Sequence, residues 1–182
     1  MTDSLHSALE EVLSNFRALV VLSNVDRQAI VSAYFALGRH CVATHADEIA
    51  VLITDQVLQH ESEFVAHAPG NPDKNSAFFV HTIETSLFQT LRSVVRMDAG
   101  LIMIDALMTP DALSLCLMAA ETGHRLVIAD HSGDAKTAIE SLYQLASASE
   151  RASIDQQLLP AMLKSFMVMG DNGAWQAADP SA

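Results

Sequence analysis

The sequence is short of several things, and each shortage excludes a class of protein. It has only two cysteines, Cys41 and Cys116, far apart and in no CxxC pattern. Neither a disulfide framework nor a structural zinc site is expected. Basic residues are scarce: 10 Lys and Arg stand against 22 Asp and Glu, for a net charge of -12. A chain this acidic lacks the phosphate-neutralising face that nucleic-acid binding needs, and anionic lipid would repel it. No apolar run approaches the roughly 18 residues of a membrane span. One such run, Gly100 to Ile104, stops at Asp105. The opening residues MTDSLHSALEEVL carry acids where a secretory leader carries bases, so a reduced, cytoplasmic setting is expected. Glycines number seven, and none precedes a Lys-Ser/Thr pair.

What is present is apolar residue in the right pattern. Half of the 182 residues are hydrophobic, enough for one sizeable core. Short, continuously apolar runs read as strands covered on both faces: 18–23 (ALVVLS), 49–54 (IAVLIT), 101–105 (LIMID) and 126–129 (LVIA). Between them lie helical patterns over 4–16, 26–43, 82–96, 110–122, 135–145 and 150–159. Asp26 is placed to cap the second of these and Thr109 the fourth, with Pro110 at its first position. Gly123 stands where that helix should end, and Pro160 breaks the last one. Residues 66–76 (AHAPGNPDKNS) read as a loop. The expected organisation is an N-terminal helix (1–17), an α/β domain with a mainly parallel sheet (18–169) and a tail (170–182).

Chemistry-bearing residues are thin on the ground. His60, Glu61 and His67 do not make the HExxH spacing that puts two zinc ligands on one helix face, and no metal site is expected. Asp130-His131 lacks a suitably placed Ser or Cys for a triad. The eight methionines sit mostly at core-type positions and read as packing.

The segment from Leu91 to His131 resembles the PilT-type motor ATPases of type IV pili and of type II and type IV secretion. Those proteins carry an L-R-x-x-L-R-x-D-P-D segment, a hydrophobic Walker B strand ending in Gly-Glu, a helix ending A-A-E-T-G-H and a later His box. Here LRSVVRMD matches through Arg92, Arg96 and Asp98. LIMI matches the strand, and Ala119-Ala120-Glu121-Thr122-Gly123-His124 matches the helix end residue for residue. His131 falls on the His-box histidine. The likeness runs more weakly over about 18–168 and implies a RecA-like P-loop NTPase-type domain. It also implies a domain standing without the family's N-terminal PAS-like module.

The nucleotide motifs depart from the family. Walker A, G-x-x-x-x-G-K-[ST], lets glycine N–H groups close round phosphate while Lys and the hydroxyl reach phosphate and Mg²⁺. Aligned without a gap, Asn24, Arg27 and Ala29 stand at the glycines, Ile30 at the Lys and Val31 at the Ser/Thr. The Walker B Gly-Glu aligns with Asp105-Ala106, so the acid stands one residue early, and a one-residue slip on a strand reverses the face. The family's next Arg aligns with Met108, and its Asp-box Glu-Asp with Thr54-Asp55. The resemblance therefore implies a degenerate motor homologue that binds no Mg-ATP and works by protein contact, on motor ATPase subunits or as its own oligomer. The alternative is a divergent enzyme whose rebuilt site holds a nucleotide or another anion through Arg27, Arg92, Arg96 and His131. On the bland reading, Arg92 and Arg96 pair with Asp98 or Glu84, Glu121 is structural, Gly123 and His124 terminate a helix, and His131 orients a loop.

Overall fold

The computed structural model describes residues 18–45, 47–55, 66–67, 76–83, 85–148, 163–169 and 175–178. In chain order these form β1 (Ala18–Ser23), α1 (Arg27–Thr44), β2 (Ile49–Thr54), β3 (Ala66–His67), β4 (Ala77–Thr82), α2 (Leu87–Arg96), β5 (Leu101–Asp105), α3 (Pro110–Glu121), β6 (Arg125–Asp130), α4 (Ala135–Ala148), β7 (Leu163–Met169) and β8 (Trp175–Ala178). The helices expected over 4–16 and 150–159 lie outside the described residues.

The strands make one sheet in the order β3-β4-β2-β5-β6-β1-β7-β8. The six from β4 to β7 run parallel, and the short β3 and β8 are antiparallel at the edges. The expected mainly parallel α/β domain is what the chain adopts. Alternation along each strand sends side chains to opposite faces. Leu19, Val21, Val51, Ile53, Ile102, Ile104, Leu126 and Ile128 meet α2, α3 and α4. Val20, Leu22, Ala50, Leu52, Leu101, Met103 and Val127 meet α1. Both faces are covered, which is why these strands read as unbroken apolar runs. At about 1.5–3 kcal/mol for each fully buried aliphatic side chain, this double layer dominates folding.

Local signals set the helix ends. Asp26 caps α1 by accepting from Gln28 N at 2.9 Å. Thr109 caps α3 by accepting from Ala112 N at 3.3 Å, with Pro110 next. Gly123, at φ +114°, ends α3: its N–H donates to Ala120 O at 3.2 Å and His124 N–H to Ala119 O at 3.0 Å. That pair of bonds is a Schellman terminator.

Several expectations need correction, beginning with the loop expected over 66–76, whose first two residues form β3 because they pair antiparallel with Phe78 and Ala77 of β4. The helix expected over 82–96 begins only at Leu87, capped by Ser86, and Thr82 closes β4. β4 itself was not anticipated, because an outer strand with exposed Phe79 and His81 lacks the apolar run of the inner ones. The stretch expected as a tail contains β8, paired with β7 through Phe166↔Ala178 to Met169↔Trp175. Strand β7, also unanticipated, lies beside β1.

Candidate functional site

In an open parallel sheet the loops leaving the carboxyl ends of the strands form the natural crevice. Here those ends bring together Ser23 and Asn24, Thr54 and Asp55, Asp105 and Ala106, and Asp130 and His131. β1 and β5 are separated by β6 alone, and β2 lies beyond β5.

Only three residues, Asn24 to Asp26, separate β1 from α1. Asn24 Oδ1 accepts from Asp26 N at 2.8 Å, and the Asp26 carboxylate sits on the first helical N–H groups. Arg27, Gln28 and Ala29, aligned with loop positions of a Walker A motif, form the first turn of α1. Ile30 is fully buried against the sheet, and Val31 packs at the margin of the same cluster.

Arg27 reaches back over the sheet edge. Its Nε donates to both carboxylate oxygens of Asp105, at 3.1 and 3.0 Å. Its Nη2 donates to Asp55 Oδ1 at 2.5 Å and to the Asp105 carbonyl at 3.0 Å. Asp105 is wholly buried and also accepts from Thr54 Oγ1 at 3.4 Å. His131 Nε2 lies 3.5 Å from Asp105 Oδ1. Burial works against the Arg27 charge, but the bonds to Asp55 and Asp105 outweigh it and raise its pKa. Beneath, the Tyr34 hydroxyl donates to Ile104 O at 3.0 Å, and burial followed by the Asp105 charge lifts its pKa well above the usual value.

Four residues singled out in the sequence, Arg27, Asp55, Asp105 and His131, thus converge. Ala106 is buried just beyond them. The bonding shared by Arg27 and Thr54 was not foreseen. The available signal was a lone base opposite two acids at strand ends. Behind β6, Asp130 accepts from Ser23 Oγ at 2.8 Å and also from the Ser132 hydroxyl, tying β1 to the β6–α4 turn.

The remaining motif residues lie elsewhere. Asp98, Gly123 and His124 stand at the opposite, amino edge of the sheet, around a cavity of about 370 Å³ that also includes Asp47 and Glu48. Asp98, at φ 57°, ends α2 as Gly123 ends α3. His124 Nδ1 lies 3.0 Å from Ala119 O, on the same helix end. Nearby, Arg125 Nε donates to Gly100 O at 3.1 Å and the guanidinium is ion-paired with Glu48. Glu121, Arg92 and Arg96 are exposed. The expected pairing of Arg92 or Arg96 with Asp98 is not formed, and Glu84 lies outside the described residues. Among the described residues no three His, Cys, Asp or Glu side chains are grouped to hold a metal. No described helix is long and apolar enough to cross a membrane.

This sheet and its flanking helices have a RecA-like α/β fold. No protein-family profile matches the chain, and no curated protein matches it by sequence. Solved structures do match. The pilus retraction motor PilT with bound ADP superposes with a TM-score of 0.65 at 16% identity, over 94% of this chain and 48% of that one. The VirB11 ATPase of the Brucella suis type IV secretion system, in complex with sulphate, gives 0.64 at 18%, over 97% and 51%. The Legionella pneumophila ATPase DotB gives 0.61 at 13%, over 94% and 46%. The chain therefore shares the fold of pilus and secretion ATPases, and it spans about half the length of these structures.

Proposed function

We propose that this chain is a non-hydrolysing homologue of the pilus and secretion motor ATPases. It acts through protein contacts in the cytoplasm, on motor subunits or in its own oligomer. The observation that carries this reading is Arg27. In the P-loop chemistry of the fold, the carboxyl edge holds triphosphate and Mg²⁺ through glycine N–H groups, a Lys and a hydroxyl. Here Ile30 and Val31 replace the last two, and an internal guanidinium neutralises the strand-end acids that a metal would need. The Asp26 carboxylate caps the helix end that phosphate would otherwise face. The residues present do not suit Mg-ATP.

Thermal denaturation with and without Mg-ATP tests the reading. A site with a Kd of about 10 µM, tested at about 1 mM, would stabilise by about 2.7 kcal/mol. In a domain of this size that raises Tm by about 5–10 °C. The expected shift is nil for Mg-ATP and Mg-ADP alike. A rise of that size, abolished by Arg27→Ala, would establish the divergent anion-binding enzyme instead.

A further inference from the structure

Two large apolar side chains at the carboxyl edge stand almost entirely in solvent: Leu107 is 84% exposed and Val25 74%. Leu107 follows β5 and Val25 precedes α1, so they sit on either side of the turn that leaves β6. Val25 lies over that turn, with its Cγ1 only 2.8 Å from where a Cβ on Gly133 would be. Leu107 borders a cavity of about 290 Å³ on the α4 side of the sheet. Met108, Ile128, Ala138, Leu142 and Leu145 make that cavity apolar, with His131 and Ser132 at its polar side. Single exposed apolar residues are ordinary. Leu107 and the cavity it borders make one continuous apolar surface, and Val25 stands beside it on the β6–α4 turn.

Among the described residues the charge around it is one-sided. Asp26, Asp111 and Asp134 are exposed at the starts of α1, α3 and α4, on the same edge. Against them stands Lys136, while Arg27 is bonded to Asp55 and Asp105. An acidic rim on a chain of net charge -12 disfavours a second copy, an acidic peptide and anionic lipid. It suits an apolar anchor carried between Lys or Arg side chains. At about 290 Å³, and lined mostly by apolar side chains, the cavity has room for an apolar anchoring side chain.

We infer that this edge is a docking socket for a basic amphipathic helix of another protein, with its apolar anchor in the cavity between α4 and β6 and its cationic flanks on Asp26, Asp111 and Asp134. The inference rests on the reading that the chain works by contact, and it names where that contact is made and with what chemistry.

The test is fluorescence anisotropy of a labelled Leu/Lys peptide of helical spacing against the whole chain at about 150 mM salt, where non-specific charge attraction is screened. Saturable binding is expected. Leu107→Asp and Val25→Asp should each weaken it about tenfold or more with Tm unchanged, since both sites are exposed. Asp111→Lys should weaken it as well, and Glu121→Lys, on the opposite edge, should not. Absence of binding overturns the socket. So does equal binding by Leu107→Asp, or equal binding of a probe with every Leu replaced by Ser. Self-association abolished by Leu107→Asp would make a second copy the occupant and overturn it too. A Mg-ATP thermal shift on the same preparation separates the two readings. Probe and ATP both binding leaves the socket and removes the inactive-homologue reading; neither binding does the reverse.

Discussion

The Arg27 guanidinium grips Asp105 across 78 positions of sequence, its Nε placed 3.1 and 3.0 Å from the two carboxylate oxygens. Asp105 is fully buried, so the charge has little solvent to fall back on. The same guanidinium holds Asp55 at 2.5 Å, joining the ends of β2 and β5 to the start of α1.

Removing that cation should be costly. Arg27→Ala is expected to destabilise by about 3 kcal/mol in urea titration, because a buried carboxylate loses its counter-ion. Asp105→Asn in the Arg27→Ala background should recover part of the loss, with a coupling energy of about 1–3 kcal/mol. Independent, additive effects of the two changes would show that the pair does not hold the edge together.

Packing between α1 and the sheet is tight at Gly38. A Cβ there would come within 2.7 Å of the Phe78 ring, which is itself buried and meets Phe35 edge-on at 5.7 Å. Gly38→Ala should therefore destabilise by about 1–3 kcal/mol through overpacking, although Ala favours a helix by about 1 kcal/mol. A stabilised variant in thermal or urea denaturation would mean the ring gives way.

Asp134 supplies a pH-dependent contribution. Its carboxylate accepts from Thr137 N at 2.8 Å at the start of α4, and the hydrogen bonds from Thr137 depress its pKa. A depressed pKa means stabilisation that is present above the ordinary carboxylate range, about pH 4, and lost as pH falls below it. Asp134→Ala should lower Tm at neutral pH, and the gap to the parent should close in acid. Asp134→Asn, a cap that does not titrate, should show no such acid-dependent change. A gap independent of pH for Asp134→Ala would remove the cap's titration from the account.

Both thiols are held back by burial. It pushes Cys41 up to about 11, partly offset by Arg125, and Cys116 up to about 12. A thiolate reagent at pH 8 should find neither cysteine in the native chain and both once urea unfolds it. Rapid labelling of Cys41 without unfolding would show that the α1 face opens locally.

Much of the fold is legible in the sequence. The runs at 18–23, 49–54 and 101–105 became strands with the anticipated bounds, because side chains on both faces had to be apolar. The string AAETGH ends as a helix terminator: small Ala119 and Ala120 are buried under the sheet, and Gly123 takes the left-handed turn. β4, β7 and β8 were not legible. The half-exposed alternation of β4 resembles a loop or a helix start, Lys164 and Ser165 interrupt the apolar run of β7, and the short edge strand β8 carries little pattern of its own.

Composition, apolar runs and caps determined that this chain would form an α/β sheet with both faces covered, because those signals act between near neighbours in sequence. Only the tertiary structure decided what Arg27 does. Sheet order sets β2 beside β5 and lays the start of α1 across them, so a residue aligned with a phosphate-loop glycine becomes the counter-ion of two acids 28 and 78 positions away. That pairing depends on which strands become neighbours, and the packing of both layers fixes it.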